Sequence, residues 1–169
     1  APILSQAVGG LLGAMSESTL VFAPHFNSYR RLRPDTHAPT SVSWGYENRT
    51  TAIRIPGGDP EARRIEHRVA GADANPYLVV AAILGAALYG IEHEIVPPDP
   101  FPGRAYAERF PKLPADWASA VNAFEDGDVI PAFFDDTLRS MFVACKRQEI
   151  AGFASNVTDF EFAAYLEII

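Results

Sequence analysis

Apolar residues recur at helical spacing near both ends of the chain and in short, strand-like runs between them. Val8, Leu11, Leu12 and Met15 fall on one stripe of residues 1–16, which predicts a short helix. From Val21 to Val69 the texture changes to Pro, Arg, Ser and Thr, broken by short β-type runs. Residues 40–44 and 51–55 are strand candidates joined by a turn over 45–48. A Pro-Gly-Gly-Asp-Pro turn at 56–60 then leads into a third candidate at 64–69. In an extended chain Arg64, Glu66 and Arg68 share one face of that third strand, with Ile65, His67 and Val69 on the other.

Asn75 and Pro76 are the residue types of a helix N-cap and first helical position, and the Ala-rich run they open continues to Ile91. That run is apolar nearly all round, so the expectation is a helix buried in the core. The Pro-rich residues 97–102 read as a stiff linker, after which the pattern is helical. Trp117, Val121 and Phe124 mark one apolar stripe, and Leu138, Met141, Phe142 and Cys145 another. Thr158 with Glu161 makes a capping box at the start of a last helix. These elements predict one α+β unit, a small antiparallel sheet segment followed by a helical cover, without internal repeats. The run from Asn75 to Ile91 is too short to span a bilayer, and no charged leader with a cleavage site opens the chain, so no membrane association is expected.

The net charge of −7 conceals an asymmetry. Residues 30–68 hold eight arginines (30, 31, 33, 49, 54, 63, 64 and 68) against five acids, whereas the remainder holds six basic and sixteen acidic residues. Both lysines, Lys112 and Lys146, lie outside the positive stretch. Guanidinium groups present planar, paired donors that match carboxylate and phosphate oxygens, and they stay charged at neutral pH. Arg31, Arg33 or Arg68 therefore suits a carboxylate, and Arg49, Arg54 and Arg64 suit oxygens that gain charge in phosphoryl transfer. Glu66 is the acid placed among these cations, where a divalent metal arriving with nucleotide phosphates needs a carboxylate. The competing explanation of Arg64, Glu66 and Arg68 is a surface salt-bridge ladder. A nucleic-acid groove is disfavoured by the acidic remainder and the lack of a nucleic-acid motif. The single Cys145 excludes an internal disulfide and fits a reducing, cytoplasmic location, and the histidines (25, 37, 67 and 93) lack metal-motif spacing.

NSYRRLRP, NRTTAIRIP, RRIEHR and ADANPYL follow one another along the chain. In order and spacing they resemble the glutamine synthetase family's strings of the form NSYKRL, NR-A-IR-P, RR-E-R and ANPYL. The likeness continues to VTDFEFAAYL, so it covers essentially the whole chain and falls in the C-terminal part of that family's catalytic domain. The resemblance implies that residues 1–169 are a fragment, with a β-grasp domain and the first half of the catalytic domain upstream. It implies an ATP-dependent reaction with Mg2+ or Mn2+, in which glutamate becomes γ-glutamyl phosphate and an amine displaces the phosphate. Position by position it assigns Arg31 and Arg68 to the substrate glutamate, Arg49 to the ATP γ-phosphate and the acyl phosphate, and Arg54 and Arg64 to the nucleotide phosphates. Glu66 falls on a ligand of the phosphate-bridging metal. A cytoplasmic homo-oligomeric ring, with each site built between neighbouring subunits, is implied as well.

One position departs from the pattern. Ammonia-using members carry a glutamate six residues beyond the position of Arg31, in a flap that closes the site, and here that residue is His37. An imidazole is a poor trap for ammonium, which calls for negative charge. WGYENR and AGADANPYL also look more like the branch that glutamylates larger amines, with a polyamine such as putrescine the leading acceptor. The alternatives are a glutamate–ammonia ligase and a non-catalytic regulatory protein derived from a synthetase. The fragment by itself is expected to be inactive.

Overall fold

The computed structural model describes residues 2–106 and 110–168. Helices α1 (Pro2–Gly13) and α2 (Thr19–Phe22) open the chain, and a 3₁₀ turn follows at Phe26–Arg30. Three short strands come next: β1 (Trp44–Tyr46), β2 (Ile53–Ile55) and β3 (Glu66–His67). The remainder is helical, with α3 (Pro76–Glu92), α4 (Trp117–Glu125), α5 (Asp136–Ala154) and α6 (Asp159–Tyr165). The α+β class is the expected one, but the sheet is mixed. β1 and β2 run parallel, with Trp44 opposite Ile53 and Tyr46 opposite Ile55, and β3 is antiparallel to β2, with Glu66 opposite Arg54.

A parallel pair ordinarily needs a long crossover. Strands of three residues are only roughly 7 Å from end to end, so residues 47–52 suffice to bring the chain back. Glu47, with a left-handed φ of 51°, begins the return. The Thr51 hydroxyl ends it, shared between the carbonyls of Asn48 (2.9 Å) and Ile53 (2.8 Å). Residues 40–43 belong elsewhere: Val42 N–H donates to the Pro111 carbonyl (2.8 Å), and Leu113 N–H to that of Thr40 (3.1 Å). The third strand is shorter than its sequence pattern, and Arg64 lies before it.

A continuous core joins α1, α2, the sheet and the later helices. The first stripe (Val8, Leu11 and Leu12 in α1, with Met15 just beyond it) and the α4 stripe (Trp117, Val121, Phe124) are both buried, as their periodicity predicts. Asn75 caps α3 by accepting from the N–H groups of Tyr77 (3.0 Å) and Leu78 (3.4 Å). The Thr158–Glu161 capping box is present too, with Glu161 N–H donating to Thr158 Oγ1 (3.2 Å) and Thr158 N–H to Glu161 Oε2 (2.8 Å).

The expectation of an α3 buried all round is corrected to burial on one side, and α5 buries another face than expected. In α3 the core side is Ala82, Ala86 and Gly90, while Tyr77, Val80, Leu84 and Leu88 are each more than half exposed. Close approach to α1 selects the small face: a Cβ added at Gly10 would lie 2.6 Å from the Gly90 Cα. An all-apolar sequence cannot reveal which side its neighbour chooses. In α5 the inward positions are Arg139, Phe142, Val143, Lys146 and Ile150, and Met141 and Cys145 are exposed. Lys146 is buried, with its ammonium over the Trp117 (5.8 Å) and Phe142 (5.7 Å) rings and paired with Glu149 at 2.9 Å. A long cationic side chain thereby fills a core position that an apolar tally misses. Among the described residues no helix is long and apolar enough to cross a membrane.

Candidate active site

The 3₁₀ turn at Phe26–Arg30 delivers Arg31 to the edge of the sheet, with Arg31 N–H bonded to the Ser28 carbonyl at 3.1 Å. Its guanidinium donates through Nη2 to the Val69 carbonyl, just beyond β3. Burial lowers the Arg31 pKa from its ordinary value, Asp73 offsets this, and Arg68 adds to it. Such a shift leaves the group fully charged at neutral pH.

Glu66 on β3 is held between two arginines. Its Oε2 accepts from Arg54 Nη1 at 2.8 Å across the β2–β3 pair, and its Oε1 accepts from Arg68 Nε at 3.1 Å. Arg68, with a side chain 16% exposed, uses its remaining nitrogens as a tether. Nη1 donates to the Arg49 carbonyl and Nη2 to the His37 carbonyl at 3.2 Å. Arg31, Thr36, His37, Ala38, Glu66, His67 and Arg68 line one shallow concavity of about 270 Å³. Thus Arg31, His37, Glu66 and Arg68 come together as the sequence anticipated, and Arg54 joins them through Glu66. Arg49 reaches this group through its backbone, and its exposed guanidinium has no hydrogen bond or ion pair among the described residues. Arg64 stands apart, exposed and bonded to the Ala62 carbonyl at 3.3 Å. A three-member ladder is therefore corrected to a Glu66–Arg68 pair plus Arg54.

The loop bearing Arg49 is braced by residues 98–105, which are no mere linker. Trp44 Nε1 donates to the Pro98 carbonyl (2.7 Å), and Phe101 N–H returns a bond to the Trp44 carbonyl (2.9 Å). Asn48 Nδ2 donates to the carbonyls of Phe101 (2.7 Å) and Gly103 (2.8 Å), and its Oδ1 accepts from Thr50 N–H and Oγ1. Every hydrogen-bonding position of the Asn48 amide that these contacts use is matched, which locks the residue preceding Arg49.

His37 sits at φ 63° in an exposed loop, and Thr36 Oγ1 lies 2.5 Å from the Arg31 carbonyl and 2.7 Å from that of Arg33. His67 points away from its strand neighbours Glu66 and Arg68, as its strand parity predicts, with its ring centroid 4.3 Å from that of Phe22. Burial first, and Arg31 second, push its pKa down to about 4, so it is neutral at pH 7. Both ring nitrogens are buried without a partner. His67→Leu is expected to stabilise the native state by about 1–2 kcal/mol at pH 7, because it removes that unmet hydrogen bonding. The gain should appear as a higher urea midpoint at unchanged slope. Since the ordinary value is 6.5, the unfolded chain takes up the proton first. Wild-type stability is therefore full above about pH 6.5 and declines as pH falls toward 4, a loss the leucine variant lacks. Equal midpoints in the two proteins would show that the unpartnered nitrogens cost nothing.

Four contacts escaped the sequence reading. Ser28 Oγ donates to Asp73 Oδ2 at 2.5 Å and accepts from His25 N–H at 3.1 Å, and His25 Nδ1 lies 3.5 Å from the same carboxylate. Burial works to raise the Asp73 carboxyl, but Ser28, its own backbone N–H and His25 together hold it below the usual carboxylate range. Glu47 pairs with Arg54 from the far side, at 3.0 Å. Asp73 lies within the ADANPYL string and Glu47 within WGYENR, so the strings flag the neighbourhoods without showing which side chains meet.

Clustered guanidinium groups around one carboxylate, on a small sheet packed against helices, make a concavity whose chemistry suits anions. Comparison with known proteins gives that chemistry a family. Residues 1–165 match the family model described as glutamine synthetase, catalytic domain. The chain is 38% identical over 165 residues to a gamma-glutamylethanolamide synthetase of Streptomyces coelicolor, covering 98% of this chain and 36% of that protein. It is 37% identical over 160 residues to the gamma-glutamylputrescine synthetase of Escherichia coli, covering 95% of this chain and 34% of that protein. The solved structure of ligand-free GmaS superposes with a TM-score of 0.86 at 33% identity, over 99% of this chain and 39% of that one. The chain belongs to the glutamine synthetase catalytic-domain family, and it spans about a third of the length of the curated relatives it matches.

Proposed function

We propose that this chain forms the glutamate- and phosphate-facing wall of an ATP-dependent ligase that joins glutamate to an organic amine. The observation carrying this reading is the convergence of Arg31, Glu66 and Arg68 on one concavity, with Arg49 tethered at its rim. In this reading Arg31 and Arg68 grip the carboxylates of glutamate by paired hydrogen bonds. The γ-carboxylate attacks the terminal phosphorus of ATP and ADP leaves, giving γ-glutamyl phosphate. Arg49 faces the transferred phosphoryl group, and Arg54 and Arg64 face the remaining phosphates, offsetting charge as it develops. The amine then attacks the acyl carbon, inorganic phosphate departs, and the nitrogen sheds a proton. Splitting the amide synthesis in this way turns a poor acyl donor into a good one.

Glu66 fits one ligand of a divalent cation such as Mg2+ or Mn2+, since its carboxylate is a third exposed and accessible from the concavity. It does not fit a whole site, because no group of three potential ligands occurs among the described residues. When bound, the cation would neutralise phosphate oxygens. The other ligands, a β-grasp domain and the rest of the catalytic domain belong to the upstream part of the proposed whole enzyme. The bare face of α3, with Tyr77, Val80, Leu84 and Leu88, supports such a missing neighbour. A cytoplasmic homo-oligomeric ring belongs to the same reading, and residues 1–169 alone are expected to show no turnover.

His37 supports an organic amine over ammonia, because a neutral or cationic imidazole offers ammonium no attraction. The whole enzyme is expected to favour putrescine or ethanolamine over ammonia in kcat/KM by about tenfold or more, a difference of roughly 1.4 kcal/mol in the transition state. Phosphate release measured across an amine panel checks this. A clear preference for ammonia would return the protein to glutamine synthesis.

A further inference from the structure

We infer that Glu47 is a positioning residue on the phosphate side of this site, setting the plane of the Arg54 guanidinium and fixing the Gly57–Gly58 turn against it. The inference rests on the ligase reading above for its functional consequence, though its geometry stands independently.

Glu47 is exposed, with a side chain 58% accessible, yet its carboxylate is fully engaged. Its two oxygens lie 3.2 and 3.0 Å from Arg54 Nη2, and Oε1 also accepts the Gly57 N–H. Its own N–H donates to the Ile55 carbonyl at 3.0 Å. The backbone adopts φ 51°, a conformation uncommon for a residue other than glycine, as it turns from β1 into the return loop. An exposed ion pair contributes little to stability by itself. A carboxylate that joins a strand end, an arginine and a turn contributes geometry.

Arg54 explains why that geometry matters. Its side chain is only 11% exposed, and Nη1 is bonded to Glu66. One hydrogen bond leaves a guanidinium free to swing about the donor–acceptor axis. Glu47, gripping Nη2 from the opposite side, removes that freedom. Each terminal nitrogen bears two hydrogens, so the clamped fork still has donors for a phosphate oxygen. The second grip, on Gly57, holds the turn in which Gly58 adopts φ 123° and from which the chain proceeds through Pro60–Ala62 to Arg64. Glu47 thus holds the Arg54 guanidinium and the start of the turn that leads to Arg64 from one carboxylate.

The test is steady-state kinetics of E47A, E47Q, R54A and E47A/R54A in the whole enzyme, varying ATP and glutamate separately. Glu47→Ala is expected to raise KM for ATP about tenfold while KM for glutamate moves less than about twofold. E47Q, which keeps one acceptor, is expected to recover part of the loss. The double variant should be no worse than R54A, since a positioning residue acts through its client. Equal rises in both KM values, or lower kcat with a lower melting temperature and unchanged KM for ATP, would overturn the assignment. Hydrogen exchange at the Gly57 amide needs no turnover and separates this inference from the ligase reading. Exchange should quicken at least about tenfold in E47A, and unchanged exchange overturns the positioning role even if the wild type ligates. If the wild type fails to ligate while exchange quickens, the ligase reading falls and the clamp stands.

Discussion

Arg68→Ala in the whole enzyme is expected to lower kcat/KM for glutamate by about 10²–10³-fold, in line with removing one partner of a partly buried, hydrogen-bonded charge pair. The side chain has three structural clients as well as its proposed substrate. It bonds the Glu66 carboxylate, the Arg49 carbonyl and the His37 carbonyl, so it joins β3 to the loops on either side of the concavity. Truncation leaves the Arg49 and His37 carbonyls without this donor and Glu66 with Arg54 alone, and a stability loss of about 2 kcal/mol is expected alongside the kinetic defect. Kinetics with glutamate varied, together with a denaturation midpoint, measure both. Arg68→Lys restores charge but not the fork, and should recover little. A variant with normal kcat/KM would remove Arg68 from the glutamate site.

Arg49→Ala should give the opposite combination. Its guanidinium makes no hydrogen bond or ion pair among the described residues, and the residue is held by its backbone. Folding stability should therefore change by no more than about 0.5 kcal/mol. Phosphoryl transfer, in contrast, should slow about 10³-fold, the scale expected when a lone arginine loses contact with charge developing on phosphate. ADP formation under saturating substrates, paired with urea denaturation, reads the two quantities separately. A large stability loss with unchanged rate would make Arg49 a structural residue.

These contrasts mark how far the sequence could reach. Periodicity identified α1 and α4 with their buried stripes, and cap chemistry located α3 and α6, because both signals are local. Strand parity placed Glu66 and Arg68 on one face and His67 on the other. The pairing of β1 with β2 was not legible, because its parallel sense depends on a six-residue return whose hydrogen bonds run through Thr51 and Glu47. The inward side of α3 was hidden for a related reason: Gly90 gains its meaning only when Gly10 packs against it. In α5 the pattern of apolar letters pointed to Met141 and Cys145, but Lys146 took the core position. The site strings anticipated Arg31, His37, Glu66 and Arg68 as neighbours. They could not reveal that Arg54 is shared by two carboxylates, since Glu66 meets it from β3 and Glu47 from the loop after β1.

The brace on Asn48 places an unusual constraint on the Pro-rich segment. Two of the carbonyls that lock Asn48 lie more than fifty positions downstream, at Phe101 and Gly103, and they are backbone groups. The bracing of Asn48 therefore depends on the length and path of that stretch more than on the identity of its side chains. Many substitutions there would pass unnoticed, whereas a single inserted residue would shift the carbonyls out of register. A surface loop is ordinarily where insertions are tolerated. Here an insertion would be felt first in the aim of Arg49, as slower chemistry in a protein that still folds.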